Sequence, residues 1–577
     1  MTADFRESPT ARTWSLGALS AALALVSPLP AFAQDLRTVQ PQPVPPPLDA
    51  PAPPDTATES YGVLRGVQVL TDPVQLQKQG VAVEGIAIDD TAALPGAPVR
   101  AALAPFIGKP LDLALLDDMR AALAQALLDG GERFARVVVP AQEVPGGAVQ
   151  LLVLRGRAGT IEVAGAKYFS EASYRRELHI EPGDSIDHAA LDADIDWLNR
   201  NPFRHVQLVT RPGATAGEVD LTLQTAEQRP LRVYGGINNS GTSSTGYGRA
   251  FVGLNWGNAF GLGHQLGYQH THSIEDWDLF RSDSVNYTVP LPWRHLLTAS
   301  ASVGHVRSRV PEPLDQRGKS SAFSLRYLTP LVGKGSFRHE LTLGLDYKRS
   351  DNNLLFAQVP VFGAATDIMQ ASVGYSASLE DAGGVTAMDV TLVLSPGDIS
   401  DRNTDTAFQA QRAGARARYT YLNAGLNRHT RLPGDFTWVL DLRGQVASTN
   451  LLGSEQLAIG GAGSVRGFDE GQVYVDEGLV VRNELRHPPM AVLRRLGGKL
   501  ADQMQLLWFV DYGLGFVHSP LPGERSRYSL ASVGFGVRYQ LANHLDFRLD
   551  HGVQIGDPGS DPRGRHYGTH VGLTLSW

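Results

Sequence analysis

Two short stretches in the last quarter of the chain set chargeable groups on contrasting backbones. One is Ser464-Val465-Arg466-Gly467-Phe468-Asp469, led in by Gly460, Gly461 and Gly463; the other is Trp508-Phe509-Val510-Asp511-Tyr512-Gly513. Glycine reaches backbone angles that other residues avoid, so the first stretch reads as a tightly folded loop. The second alternates as a strand does, placing Phe509, Asp511 and Gly513 on one face and Trp508, Val510 and Tyr512 on the other. An arginine on such a loop presents a planar, permanently charged fork, and a strand carboxylate is its natural bidentate partner. The expected chemistry is an ion pair between Arg466 and Asp511 that fastens loop to strand, either as a structural clip alone or as part of a working device.

Other constellations carry less. The run from Gly461 to Gly467 lacks the spacing of a phosphate loop and no Lys-Ser/Thr follows it. His264, His270 and His272 straddle a strand end with no carboxylate second shell expected in reach, so no metal site is expected. No HExxH, nucleophile elbow or catalytic carboxylate pair is found. The reading is of a protein that is not an enzyme and binds no cofactor. The chain contains no cysteine, which removes disulfide and thiolate-metal chemistry, and its formal net charge of -8 forms no basic stripe for nucleic acid.

The N-terminus carries Arg6 and Arg12, an apolar run over 14–26 and then Ala31-Phe32-Ala33 before Gln34. That order reads as a secretory signal peptide over 1–33. A dense set of prolines from Pro41 to Pro54 follows, which favours extended polyproline II over helix, and 34–79 is assigned to a linker. No later stretch reaches the roughly 18 apolar residues of a membrane-crossing helix.

From Gly80 to about 229 a β-α-α-β-β order occurs twice, with Gly108 and Gly183 at equivalent places ahead of the long helices. The modules are placed at 80–157 and 158–228. In the second helix of the first, Leu115, Leu116, Met119, Leu123, Ala126 and Leu127 recur at helical spacing. Three strands with helices on one face leave an edge able to accept an extended peptide as an added strand. The strands holding Val137, Val138 and Val139, and Val206 and Leu208, are the candidate edges. Periodicity alone equally permits two plain α+β spacers.

Beyond Pro230 the period changes to two, in segments of about ten residues parted by turn residues. Ala531, Val533, Phe535, Val537, Tyr539 and Leu541 alternate with Ser532, Gly534, Gly536, Arg538 and Gln540. Charged residues in the middle of the polar face fit a watery lumen better than a soluble sandwich. About sixteen strands, starting between Leu231 and Thr569, predict a transmembrane antiparallel barrel over 229–577. The loop carrying Arg466, at about 448–478, then lies between strands eleven and twelve. It is long for a connection without structure of its own, and it is expected to fold into the pore.

The arginine loop, the aspartate strand and a terminal strand ending on Trp577 together resemble the outer-membrane transporters of the Omp85 superfamily, and more narrowly the two-partner-secretion (TpsB) transporters of the FhaC/ShlB/HecB type. Arg229-Pro230-Leu231-Arg232-Val233-Tyr234, Leu254-Asn255-Trp256-Gly257-Asn258 and Asn201-Pro202-Phe203-Arg204 add to that resemblance. It implies two periplasmic POTRA domains ahead of a sixteen-stranded barrel in a bacterial outer membrane. It also implies a function: capture of an unfolded exoprotein, of the β-helical TpsA type, and its secretion to the surface or medium, with activation of that cargo in some members. Val465, Arg466, Gly467 and Phe468 take the place of the family's loop motif, and Phe509, Asp511 and Gly513 that of its wall motif. Trp577 stands where the barrel-assembly machinery reads a C-terminal aromatic, and outer-membrane lipid is the remaining partner. Many relatives plug the pore with an N-terminal helix; the prolines argue against one before Ala57, leaving it absent or replaced. The alternatives are a factor that inserts other barrels into the membrane and a plain diffusion porin.

Overall fold

The computed structural model describes residues 62–89, 94–132, 134–215, 217–333, 335–356, 359–495, 497, 500–555 and 565–577. The expected signal peptide and the proline tract lie outside the described residues. The chain divides at Pro230 and Leu231 into two compact units.

The first unit opens with β1 (Gly66–Leu70), β2 (Gly85–Ile88), α1 (Gly96–Leu103), α2 (Leu113–Asp129), β3 (Arg136–Val138) and β4 (Ala148–Leu154). Its sheet has the order β2-β1-β4-β3, with β1 parallel to both neighbours and β3 antiparallel to β4. Asp112 caps α2 by accepting the Leu115 amide at 2.8 Å, and Leu115, Met119, Leu123 and Leu127 form one buried stripe at four-residue intervals. Burying each such side chain is worth roughly 1.5–3 kcal/mol, which is what holds the helix to the sheet. This corrects the assignment of 34–79 to a linker: β1 is a central strand lying ahead of the module boundary expected at 80, and the first strand after that boundary is only the edge strand β2. Five residues are too few for alternation to show, and Val67, Val69 and Leu70 are all buried.

The second module follows with β5 (Arg157–Ala164), α3 (Glu171–Arg176), α4 (His188–Leu198), β6 (Arg204–Pro212) and β7 (Glu218–Glu227), in the sheet order β5-β7-β6. Ser170 and Asp187 cap the two helices. Gly108 and Gly183 both adopt positive φ, +86° and +96°, each four residues before an aspartate cap, so the repeat seen in sequence is a repeat of one turn. At the end of β7, Glu227 accepts the amides of Lys167, Tyr168 and Phe169 and the hydroxyl of Tyr174.

The second unit is a closed barrel. Its strands are β8 (Leu231–Asn238), β9 (Arg249–Ala259), β10 (His264–Ser273), β11 (Phe280–Pro290), β12 (Leu296–Ser308), β13 (Leu314–Pro330), β14 (Phe337–Phe356), β15 (Val359–Asp381), β16 (Gly384–Pro396), β17 (Arg418–Arg431) and β18 (Thr437–Ala447), then β21 (Glu477–Arg486), β22 (Asp502–Phe516), β23 (Arg527–Leu541), β24 (Leu545–Gln554) and β25 (Tyr567–Ser576). Two short strands, β19 (Leu457–Ile459) and β20 (Val473–Val475), pair with each other inside the β18–β21 connection, and a helix, α5 (Asp405–Gln411), lies between β16 and β17. All sixteen barrel strands pair antiparallel in sequence order, and β25 closes on β8. Closure leaves no open edge in lipid, the condition a spanning sheet must meet. Trp577 extends the seam by exchanging two backbone bonds with Val233, at 2.9 and 3.0 Å. The strands alternate in direction, so the connections β8–β9, β16–β17, β18–β21, β22–β23 and β24–β25 all sit at one end of the barrel, the far end, opposite the start of β8.

Candidate functional site: an arginine-anchored loop in the barrel

The loop at 448–476 leaves the far end of β18, returns as the β19–β20 hairpin and drops its tip against the inner wall. Inward and outward faces separate cleanly on β22: Trp508, Val510 and Tyr512 are exposed, whereas Phe509 and Asp511 are buried. Arg466 is 0% exposed, and so is Asp511. The guanidinium and carboxylate meet as a fork, Nε to Oδ2 at 2.7 Å and Nη2 to Oδ1 at 2.8 Å, and the Arg466 amide adds a third bond at 3.1 Å. The guanidinium carbon also lies 3.7 Å from the centre of the Phe509 ring, so two of the three predicted wall residues engage one side chain.

The structure adds two acids that the sequence reading did not single out. Arg466 Nη1 donates to Glu484 Oε1 on β21 at 2.6 Å and reaches Asp550 Oδ1 on β24 at 3.4 Å. Each of these has further cations. Glu484 binds Arg486 at 2.8 Å and lies 3.6 Å from Arg482, while Asp550 binds Arg538 at 2.8 Å. Asp511 depends on Arg466 for its only ion pair within 4 Å among the described residues. The signal for Glu484 was present as Arg482-Asn483-Glu484-Leu485-Arg486, where charge alternates on one strand face; nothing in spacing says which carboxylate an arginine 18 residues away will meet.

Glycine makes the docking close. A Cβ on Gly552 would sit 2.8 Å from the Gly467 nitrogen, and one on Gly568 would sit 2.7 Å from the Gly467 oxygen. Gly513 likewise leaves room for Ile459 and Val465, and Gly515 for Val475. Gly467 itself has φ +89°, donates its amide to His570 Nε2 at 3.2 Å and accepts from Gln554 Nε2 at 2.8 Å. Phe468 is buried with Ile459, Val465, Val473, Val475, Val480 and Leu530 in a small apolar cluster beneath the tip.

A second fastening secures the loop's base. Asp476, 0% exposed, receives both terminal nitrogens of Arg412 at 2.5 and 2.8 Å, the Leu451 amide at 2.8 Å and the His518 amide at 3.0 Å. One carboxylate thereby joins the β16–β17 connection, the start of the inserted loop and the β22–β23 connection. Phe408 of α5 packs with Leu451, Leu452, Tyr419 and Tyr421 beside it. Glu455 is also buried, holding Lys348 at 2.8 Å and Tyr421 at 2.9 Å. These acids lie in segments whose composition looks like an ordinary loop, so nothing in their spacing points to them.

The remaining predicted residues are placed as follows. β3, with Val137 and Val138, and β6, with Val206 and Leu208, are edge strands, and Val139 directly follows β3. The side chains of Val137 and Val206 point into the modules' cores rather than outward. The expectation that the histidines have no carboxylate within reach is corrected, because β11 brings Asp283 to 2.9 Å from His270 Nδ1. Among the described residues no group of side chains with metal-binding composition is found.

A closed sixteen-stranded antiparallel barrel with an arginine-anchored loop in its lumen, preceded in the chain by two small α+β modules, defines a transporter that crosses a membrane with strands. A family model described as "Haemolysin secretion/activation protein ShlB/FhaC/HecB" matches residues 217–539, and one described as "POTRA domain, ShlB-type" matches 81–156. The chain belongs to the ShlB/FhaC/HecB family of haemolysin secretion/activation proteins. Among relatives, the heme/hemopexin transporter protein HuxB of Haemophilus influenzae is 22% identical over 75% of this chain and 76% of its own. The outer membrane transporter CdiB-2 of Burkholderia pseudomallei is 24% identical over 80% and 78%. The solved structure of CdiB from Escherichia coli shares the fold, with a TM-score of 0.73 and 19% identity over 92% of each chain. The protein is therefore an outer-membrane translocator that works with a secreted exoprotein, its POTRA region lying in the periplasm.

Proposed function

We propose that the inserted loop is the movable part of the translocation path and that Arg466 is its release point. The observation that carries this is the pairing of a fully buried Arg466 with a fully buried Asp511, beside Glu484 and Asp550, which have further cations of their own. A permanent support needs only apolar packing, whereas a buried fork gives a defined docked position that is lost as a unit when either partner leaves. The barrel's work is passage and not bond-making, so no catalytic residue is assigned.

The cargo is proposed to enter as an added strand on β6. β3 has three residues and β2 four, and the outer edge of β5 is partly occupied by 183–186, which bond Gly156, Arg157 and Ala158. On β6 the outward groups of Val206 are taken by Asn199, at 2.7 and 3.0 Å. Leu208 and Thr210, two and four residues on, present their groups the same way. An extended, aggregation-prone chain of the β-helical type matches this backbone-level recognition. Trp577, exposed beside the closing seam, is proposed as the residue read by the barrel-assembly machinery, and 1–33 as the removable export signal. The test is co-expression with a large exported protein of the β-helical type from the same genome. Cargo in the medium only when this chain is present supports the reading; cargo retained in the periplasm beside a properly assembled barrel overturns it.

A further inference from the structure

On the outside of the barrel, His272, Arg281, His305 and Lys319 stand directly opposite one another across β10, β11, β12 and β13. They share strand parity with Tyr268, Val285, Val303 and Phe323, which are 39%, 40%, 39% and 48% exposed, so the row points outward. His272 is next to last in β10 and Arg281 second in β11, which sets the row toward the far end, beyond those apolar residues. Directly opposed side chains lie about 5 Å apart, and like charges so placed repel.

Neighbouring arginines on the same face are neutralised. Arg307 and Arg317 share Asp315, at 3.1 and 2.5 Å, and Arg349 binds Asp367 at 2.7 Å. Arg281 and Lys319 have no carboxylate within ion-pair distance among the described residues. Asp283 is engaged by His270 at 2.9 Å and by Tyr268 at 2.7 Å; Asp351, opposite Lys319, accepts from Asn353 at 2.9 Å. Two unpaired cations with an imidazole between them, at the margin of an apolar band, form a cradle for a doubly charged oxyanion with an acyl tail beneath it.

We propose that this row binds the phosphate-bearing headgroup of a lipid in the outward leaflet, a site separate from the transport path. The geometry fits: the three central side chains span about 10 Å, wide enough for one phosphate and its sugar or glycerol neighbour. Arginine and lysine supply the charge, and His305 a ring N–H.

The test uses the purified full chain in neutral detergent with fluorescent bis-phosphorylated lipid A as the probe. The Arg281→Gln/Lys319→Gln variant is expected to bind about 30-fold more weakly, since a cation near an anionic lipid surface is worth about fivefold. Arg307→Gln, whose arginine already has a carboxylate, is expected to bind like the parent chain. Heat-resistant migration of the folded barrel on gels checks that the variants fold, and Lys319→Gln alone replaces the double variant if that fails. Unchanged affinity in the variant, or equal binding of the dephosphorylated glycolipid, overturns the proposal.

Discussion

Replacing Arg466 by alanine removes both side-chain bonds from Asp511, along with the stacking on Phe509. The loss is unequal among the three acids. Glu484 keeps Arg486 and Asp550 keeps Arg538, but Asp511 keeps only the backbone amide at 3.1 Å. Breaking a buried pair on one side costs about 3–5 kcal/mol, and each 1.4 kcal/mol is tenfold, so the ratio of docked to undocked loop should fall by about 10²–10³ or more. The absence of cysteine from the chain provides a direct assay. A single cysteine in place of the buried Ser464, two residues from Arg466, reports by its rate of maleimide labelling in intact outer membranes whether the tip is docked. Labelling of the Ser464→Cys/Arg466→Ala chain should rise sharply and cargo secretion should drop while the barrel stays folded. Arg466→Lys should behave like alanine, because an ammonium cannot span both carboxylate oxygens. Glu484→Gln should label less than Asp511→Asn does. Slow labelling and normal secretion in Arg466→Ala would refute the argument that this fork holds the loop.

Gly568→Ala should undock the tip, since its Cβ would meet the backbone of Gly467 at 2.7 Å, whereas Gly463→Ala, with nothing within 4 Å, should leave labelling and secretion unchanged. Asp476→Ala strands Arg412 and three connections at once; it should cost about 3–5 kcal/mol in the far-end fastening and raise single-channel conductance in planar bilayers, and an unaltered conductance trace would count against that role. Thr210→Pro removes one outward N–H from an edge strand that already ends on Pro212, so the module should fold while cross-linking to cargo falls; Thr210→Ala should cross-link normally. Burial acts to raise the Glu227 carboxyl, but the Tyr174 hydroxyl and three amides outweigh it and hold it below its ordinary value, while burial and the same carboxylate push Tyr174 up to about 12. A lowered carboxyl contributes stability above its unfolded value and loses it as pH falls through the folded one. Glu227→Gln should therefore lower the melting temperature of the POTRA region near neutral pH and not in acid, as calorimetry of the full chain can read.

Much of the barrel was legible because a spanning strand must alternate and a turn must follow it. Sixteen starts were read from Leu231 to Thr569, and the observed first and last strands begin at Leu231 and Tyr567. Arg466 and Asp511 were legible for another reason: a charged fork on a glycine loop and a carboxylate on an inward strand face have few alternative uses. What remained hidden depends on three-dimensional convergence. β1 is too short for its period to show, and Asp476 gains its meaning only when 412, 451 and 518 arrive from separate connections. Glu484 and Asp550 were visible as inward polar residues, but assigning them to Arg466 requires the curvature of the wall. The sequence leaves the edges at β3 and β6 as equal candidates, and nothing in it shows that Asn199 already occupies Val206.

The glycines beneath the loop have a meaning for the state in which the loop has gone. Gly513, Gly515, Gly552 and Gly568 lie on four residues' worth of inner wall where no side chain projects. Lifting the tip away uncovers two bare stretches of peptide, one where Gly552 faces Gly568 and one along Gly513 and Gly515, the second flanked by the apolar side chains of Val480 and Leu530. The features that let the loop seat so closely would also leave its vacated berth with two shallow recesses, against which another backbone could lie as closely as that of Gly467 lies on Gly552 and Gly568.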